Sequence, residues 1–438
     1  MLEEVFETKR TDETAKKRAC DPTNKAVQSF FSFNFQQASK NLDVARYALL
    51  SEKPVPEAVQ YAETLTLRAV CRWVDAQDSE IAFTVNPFYK LEGKTPEGLT
   101  ARIKVANGGW KESELSKFPL TILYPAKELG ETLGDLPVVL EIRQKDQVLA
   151  TRKTSISRTK DLAARLNRLK EHKTELPALE KATVSSLIKL LEDLANKGSP
   201  ETEYPADRLL KEVETIVEKK NKTGEYYGVN QSGQFWLTVP IAKTTAPIRI
   251  FIPKGLAKDK KVPVVVALHG AGGSENMFFD AYGAGITQKL CEQRGWIMIA
   301  TRAVGAFGVG GAPNVNEIIE TLSQRYPIDP QKVFLVGHSM GAAHTLQLAQ
   351  ATPEKYRGIV ILGGGGAPRK EDALKAVPVF VGVGVADFAL SGAKSLANAL
   401  KKVEGQKLVY KEYANIEHLL IVQEAAPEFF QFFDDLVK

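Results

Sequence analysis

The spacing of apolar residues changes several times along this 438-residue chain, and each change predicts a different kind of element. Met1 to Thr23 is polar and is expected to fray. From Lys25 to Val74 apolar positions such as Val44, Ala48 and Leu49 recur on one face, which predicts helix, with a break at Pro54-Val55-Pro56. Leu65, Ala69 and Trp73 fit a second amphipathic helix. At about Ser79 the pattern shortens. Ile81 to Val85, Leu99 to Val105, Pro119 to Tyr124, Val138 to Ile142 and Val148 to Ile156 alternate or run apolar between glycines, and Gln144-Lys145-Asp146-Gln147 reads as a hairpin turn. Evenly spaced short strands predict a small Ig-like β-sandwich. Lys160 to Lys220 returns to helix, with apolar stripes at Leu162, Leu166, Leu169 and at Leu187, Leu190, Leu191, Leu194. The last third alternates fully apolar runs with helical patterns: Val262 to Ala267, Val333 to Val336, Gly358 to Leu362 and Val377 to Gly384 read as buried parallel strands. The expected division is therefore 1–78 helical, 79–158 sandwich, 159–223 a helical bracket, and 224–438 an α/β domain opened by β-hairpins.

Chemistry concentrates in that last segment. Gly337-His338-Ser339-Met340-Gly341 lies between a strand-like run and the helical Ala342 to Ala349. Strand, sharp turn and helix is the setting in which Gly-x-Ser-x-Gly presents a nucleophile. A serine hydroxyl needs a base. Of the five histidines, only His418 lies far enough beyond Ser339 for the order Ser, acid, His. Asp387, after an apolar strand, is the expected orienting carboxylate. Asp372 lies at the wrong end of that strand, Glu404 late in the next helix, and Glu417 is expected to point elsewhere. Asp387 also suits a helix-capping role, with Ser391 as competitor. Oxyanion donors are expected from the N–H of Met340 and from Leu268-His269-Gly270-Ala271-Gly272-Gly273, with Ala271 first and Gly272 close behind. His269 would pin that turn, His338 would pack beneath the serine, and His344 would pack or face solvent. Gly363 to Gly366 lacks the Lys-Ser/Thr of a phosphate loop and reads as a loop near the site.

These pieces, in this order, resemble an α/β-hydrolase-fold serine esterase over about Phe235 to Lys438. They are most similar to feruloyl esterases, polyhydroxybutyrate-depolymerase-like esterases and dienelactone-hydrolase-like enzymes. The resemblance implies carboxylester hydrolysis through an acyl-enzyme, without cofactor or metal. The depolymerase subgroup usually has a small residue where Met340 stands. Phe278, Phe279, Tyr282, Phe307 and Phe388, on loops around the site, are the expected pocket walls. With little chain between Ser339 and His418, no large cap is expected and the site should be open. A prolyl-oligopeptidase-like peptidase shares the constellation but would bring propeller repeats, which are absent.

The resemblance implies a small-molecule or polymeric ester as the partner, and composition argues against nucleic acid and membrane. Residues 262–438 carry 16 basic and 17 acidic side chains, so this segment has no basic field for nucleic acid, although the chain totals +5. Three distant cysteines form no disulfide framework or zinc spacing. No apolar run reaches membrane-spanning length. Met1 to Arg18 lacks the apolar core of a signal peptide, which predicts a cytoplasmic chain unless a leader has been removed for export. Phe88, Tyr89 and Trp110 are expected either to pack or to form a carbohydrate platform on the sandwich. The latter would make the chain a binding protein.

Overall fold

The structure is a computed structural model that describes residues 2–90, 95–198, 201–218, 225–242, 244–305, 311–366, 368 and 371–438. The chain separates into two compact units. One comprises residues 1–34, 44–52 and 226–438, and the other residues 35–43 and 53–225. The first 34 residues therefore cluster with the C-terminal α/β fold rather than with a helical segment 1–78. They are not frayed: helices Leu2–Lys9 and Glu13–Phe31 account for most of them. Asp12 caps the second of these, its side chain accepting the Ala15 N–H.

The first unit is built on an eight-stranded sheet. Its order is Leu408–Tyr413, Val379–Gly384, Gly358–Leu362, Ile328–His338, Val262–Leu268, Ile297–Thr301, Thr244–Ile252 and Gly233–Ile241. The first six strands are parallel and the last two form an antiparallel hairpin at the edge. Among the parallel strands, Val262–Leu268, Ile297–Thr301, Gly358–Leu362 and Val379–Gly384 are buried along nearly their whole length, as strands covered on both faces must be, whereas the edge strand Leu408–Tyr413 is mostly not. The crossovers between them run through helices Ile286–Arg294, Val315–Ser323, Met340–Ala351 and Leu390–Leu400. Helix Ile421–Val437 follows the last strand, and its Phe429, Phe430 and Phe433 are fully buried. Parallel strands leave their C-terminal ends on one side, so the loops after Leu268, His338, Gly384 and Tyr413 are brought to a common edge.

The second unit holds two sheets over one apolar core. Leu65–Ala69, Glu80–Pro87 and Leu120–Pro125 form a three-stranded antiparallel sheet. Trp73–Asp75, Gln147–Thr159, Gly134–Gln144, Leu99–Val105 and Lys111–Glu114 form a five-stranded one. Along Leu99–Val105 alternate side chains point inward, and Leu99, Ala101, Ile103 and Val105 join Ile81, Phe83, Ile122 and Leu140 in the core. Leu65, Ala69 and Trp73 do not form the expected helix. Leu65-Thr66-Leu67-Arg68-Ala69 alternates along a strand paired with Phe83–Pro87, and sheet pairing overrides the weak i, i+4 pattern. The all-polar strand Lys111–Glu114 carried no apolar signal. Helices Glu57–Thr64, Leu162–Lys170, Ala178–Ala195 and Ala206–Glu218 also belong to the unit. The Asp135 carboxylate accepts the Asp207 and Arg208 N–H groups at the start of the last helix, at 3.1 and 3.2 Å. No helix among the described residues is long and apolar enough to cross a membrane.

Candidate active site

Ser339 sits between the strand Ile328–His338 and the helix Met340–Ala351, with φ 55° and ψ −115°. That backbone region is costly for a residue with a Cβ, by about 1–3 kcal/mol. The turn is so tight that its glycines have no room to change. A Cβ on Gly341 would overlap the Leu268 carbonyl oxygen, and one on Gly337 would overlap the Gly341 carbonyl and the Thr345 hydroxyl. The Ser339 N–H donates to the Leu362 carbonyl at 2.9 Å, which ties the turn to the neighbouring strand end.

His418 follows the strand Leu408–Tyr413 and is 4 % exposed. Its Nδ1 lies 3.0 and 3.1 Å from the two Asp387 oxygens. A carboxylate only accepts, so the proton sits on Nδ1 and Nε2 keeps its lone pair. That Nε2 is buried and makes no hydrogen bond to any described residue. Neither Asp387 nor Ser391 caps the following helix, whose N-cap is Ala389 with no side-chain cap bond. Asp387 instead bonds beside it: its Oδ1 also accepts the Ala389 N–H at 2.8 Å, just before helix Leu390–Leu400, and this second bond fixes the carboxylate.

A chain of hydrogen bonds joins three of the loops. The buried His338 directs Nε2 at the His418 carbonyl oxygen, 2.8 Å away. Only a donor fits there, so His338 Nδ1 accepts from the Tyr282 hydroxyl at 2.6 Å. The Tyr282 oxygen in turn accepts the Gly270 N–H at 3.2 Å. Burial, then the nearby His418, hold His338 well below the usual histidine range, which keeps it neutral in this role. Tyr282 is thus a buried linker between the Gly270 turn and the serine turn, not a pocket wall. His269 braces the same turn: Nδ1–H donates to the Gly270 carbonyl at 2.7 Å and Nε2 accepts the Ala303 N–H at 3.1 Å. Glu275 grips Arg302 with both oxygens, at 2.7 and 3.0 Å. Among the described residues, the Ala271 and Met340 N–H groups bond to no other residue. His344 is buried.

Phe278 and Phe279 are also interior rather than lining. Phe278 packs edge-on against Tyr282, and Phe279 lies under the Arg249 guanidinium. Phe307 lies outside the described residues. Phe388 alone of the expected walls is exposed, at 60 %, with its ring 4.3 Å from the His418 ring. Phe31, from the helix Glu13–Phe31, stands 6.3 Å from the same imidazole. The His418 ring thus has one aromatic neighbour from the N-terminal residues and one, Phe388, from the stretch between Ser339 and His418. Phe31 carried only the signal of an aromatic run, Phe30-Phe31-Ser32-Phe33, ending a helix.

Gly363 is a second residue that sequence reasoning left unassigned. A Cβ there would lie 3.0 Å from Asp387 Oδ2 and 3.2 Å from His418 Nδ1, inside the bond that orients the ring, and its φ is +52°. Gly363→Ala is expected to cut kcat about a hundredfold with a smaller change in KM, the scale of a misplaced catalytic group. A kcat within threefold of wild type would show that the ring pair tolerates the methyl group.

Glu417, beside His418, points away from it as expected. Its buried carboxylate accepts the Leu419 and Leu420 N–H groups at 2.6 and 3.1 Å. Burial pushes its pKa up to about 7 from an ordinary 4.5, those N–H groups opposing. Between these values the folded chain binds the proton and the unfolded chain does not. Stability from this group is therefore full below about pH 4.5 and is lost as pH rises through 7, by up to about 3 kcal/mol. Melting temperatures of wild type and Glu417→Gln from pH 5 to 8 check this: the variant's curve should be flatter. Parallel curves would remove Glu417 as the source.

An open, mainly parallel sheet with a Gly-x-Ser-x-Gly turn leading into a helix is the α/β-hydrolase architecture. Residues 271–377 match the family described as Serine aminopeptidase, S33. The chain is 31 % identical over 122 residues to feruloyl esterase B of Talaromyces stipitatus, covering 24 % of this chain and 32 % of that one. It is 24 % identical over 148 residues to an acetylxylan esterase of Coprinopsis cinerea, covering 30 % and 39 %. A solved ferulic acid esterase from Anaeromyces mucronatus is similar with TM-score 0.37 and 20 % identity, over 49 % of this chain and 93 % of that one. The family match and the two fungal relatives support a serine esterase of the α/β-hydrolase type. The chain spans about a third of the length of the curated relatives it matches.

Proposed function

We propose that this chain is a serine carboxylesterase acting through an acyl-enzyme. The observation that carries the reading is the buried Nε2 of His418, which bonds to no described residue, while Nδ1 is held by Asp387 in a site shared with the Ser339 turn. Ser339 attacks the ester carbonyl and His418 takes its proton at Nε2. His418, now charged and steadied by Asp387, gives that proton to the leaving alcohol. Water repeats the sequence and releases the acid. The N–H groups of Met340 and Ala271, with Gly272 as the alternative to Ala271, meet the negative oxygen.

Both curated relatives are ester hydrolases by name, which favours an ester over a peptide substrate. Feruloyl and acetyl esters, free or on a polymer, are the first substrates this reading selects. Residues 79–158 as an Ig-like sandwich and 159–223 as its bracket take a structural or substrate-positioning role in the same reading. A carbohydrate platform has less support. The Tyr89 ring is buried and donates to Asp43 at 2.8 Å, while the Arg102 guanidinium covers Trp110 at 4.2 Å. The test is hydrolysis of a p-nitrophenyl acyl ester series and of methyl ferulate by the full chain. Turnover of esters over matched amides supports the proposal, and activity on amides alone or on neither overturns it.

A further inference from the structure

The N-terminal helices grip the loops that carry Asp387 and His418. The Asn24 side chain donates to the carbonyl of Ala386, the residue before Asp387, at 3.0 Å. Asn415, three residues before His418, donates to Glu13 at 3.1 Å. Arg10 donates to the Gln423 and Glu424 carbonyls at 3.0 and 2.6 Å, and the buried Lys16 donates to Glu424 at 3.1 Å. This docking fixes where the helix Glu13–Phe31 ends. At that end Phe31 is 46 % exposed, edge-on to Phe388 at 5.8 Å and edge-on to Phe30 at 5.6 Å.

Exposed apolar rings grouped edge-on beside a buried imidazole make a patch on which an apolar ligand group can lie. Their side of the site follows from proton transfer. A base that returns its proton to the leaving oxygen must have that oxygen within hydrogen-bond reach, so the leaving group lies beside the imidazole. We propose that Phe31 is a specificity-determining residue. With Phe388 it forms a platform for an aromatic or broad apolar alcohol portion of the ester, contributed by a helix more than 200 residues before the first strand of the sheet. This inference rests on the esterase reading. The platform faces the leaving alcohol, and the acyl group is held elsewhere.

The experiment compares 2-naphthylmethyl acetate with ethyl acetate, and methyl 2-naphthoate with methyl acetate, in wild type, Phe31→Ala and Phe31→Trp. In Phe31→Ala the kcat/KM ratio of naphthylmethyl to ethyl acetate should fall about tenfold, mainly through KM, the scale of one lost aromatic contact. Phe31→Trp restores a flat ring and should hold the ratio within about threefold. An unchanged ratio overturns the proposal, and so does a loss confined to the naphthoate pair, which would put the rings on the acyl side. A second readout needs no turnover. In a Ser339→Ala background, the Kd for 2-naphthalenemethanol should rise about tenfold on adding Phe31→Ala. If no ester is hydrolysed by wild type, the esterase reading fails by itself, and the Kd comparison still decides for or against Phe31.

Discussion

Ser339→Ala is expected to lower kcat on the best p-nitrophenyl ester by a factor of about 10³ to 10⁶, with KM and fold nearly unchanged. The hydroxyl supplies the attacking oxygen, and no other side chain in the proposed mechanism can take its place. The strained backbone at φ 55° remains, because alanine carries the same Cβ. Circular dichroism and melting temperature should therefore match wild type. Ser339→Gly separates the two properties: it should be equally inactive yet more stable by about 1 kcal/mol or more, since glycine accepts this backbone without strain. Turnover by Ser339→Ala within tenfold of wild type would refute the mechanism.

Asp387→Asn should cost about 10⁴ in kcat at neutral pH while leaving the fold intact. One oxygen is already committed to the Ala389 N–H at 2.8 Å, so the new amide would turn its NH₂ toward His418. That donor requires a lone pair on Nδ1, and the ring proton moves to Nε2. The atom that should accept from Ser339 then carries hydrogen. A loss of less than tenfold would mean that another carboxylate orients the ring.

Much of the site was legible because its signals are local or ordered. Glycines at 337 and 341 report a turn where any Cβ meets backbone oxygen, and the apolar runs before Ser339 and Asp387 report strands whose ends share one edge. The aromatic walls were not legible. Phe278, Phe279 and Tyr282 lie on a loop that folds inward, and loop position alone does not say which way a ring turns. Gly363 was expected on a loop near the site, but its closeness to the Asp387–His418 pair was hidden because those residues are distant in sequence. The docking of residues 2–34 was hidden for a related reason. Its contacts are polar side chains meeting carbonyls and carboxylates some 360 to 420 residues away, and no periodicity encodes such pairs.

The same long-range docking has a consequence for synthesis. A ribosome releases Glu13–Phe31 early, yet its partners Ala386, Asn415 and Glu424 appear about 360 to 410 residues later. At roughly 5–20 residues per second, the helix waits about 20–80 s with its packing face bare. During that interval it is an amphipathic segment with a run of phenylalanines and no home, a natural client for a chaperone. The candidate site becomes whole only when the last helix has emerged.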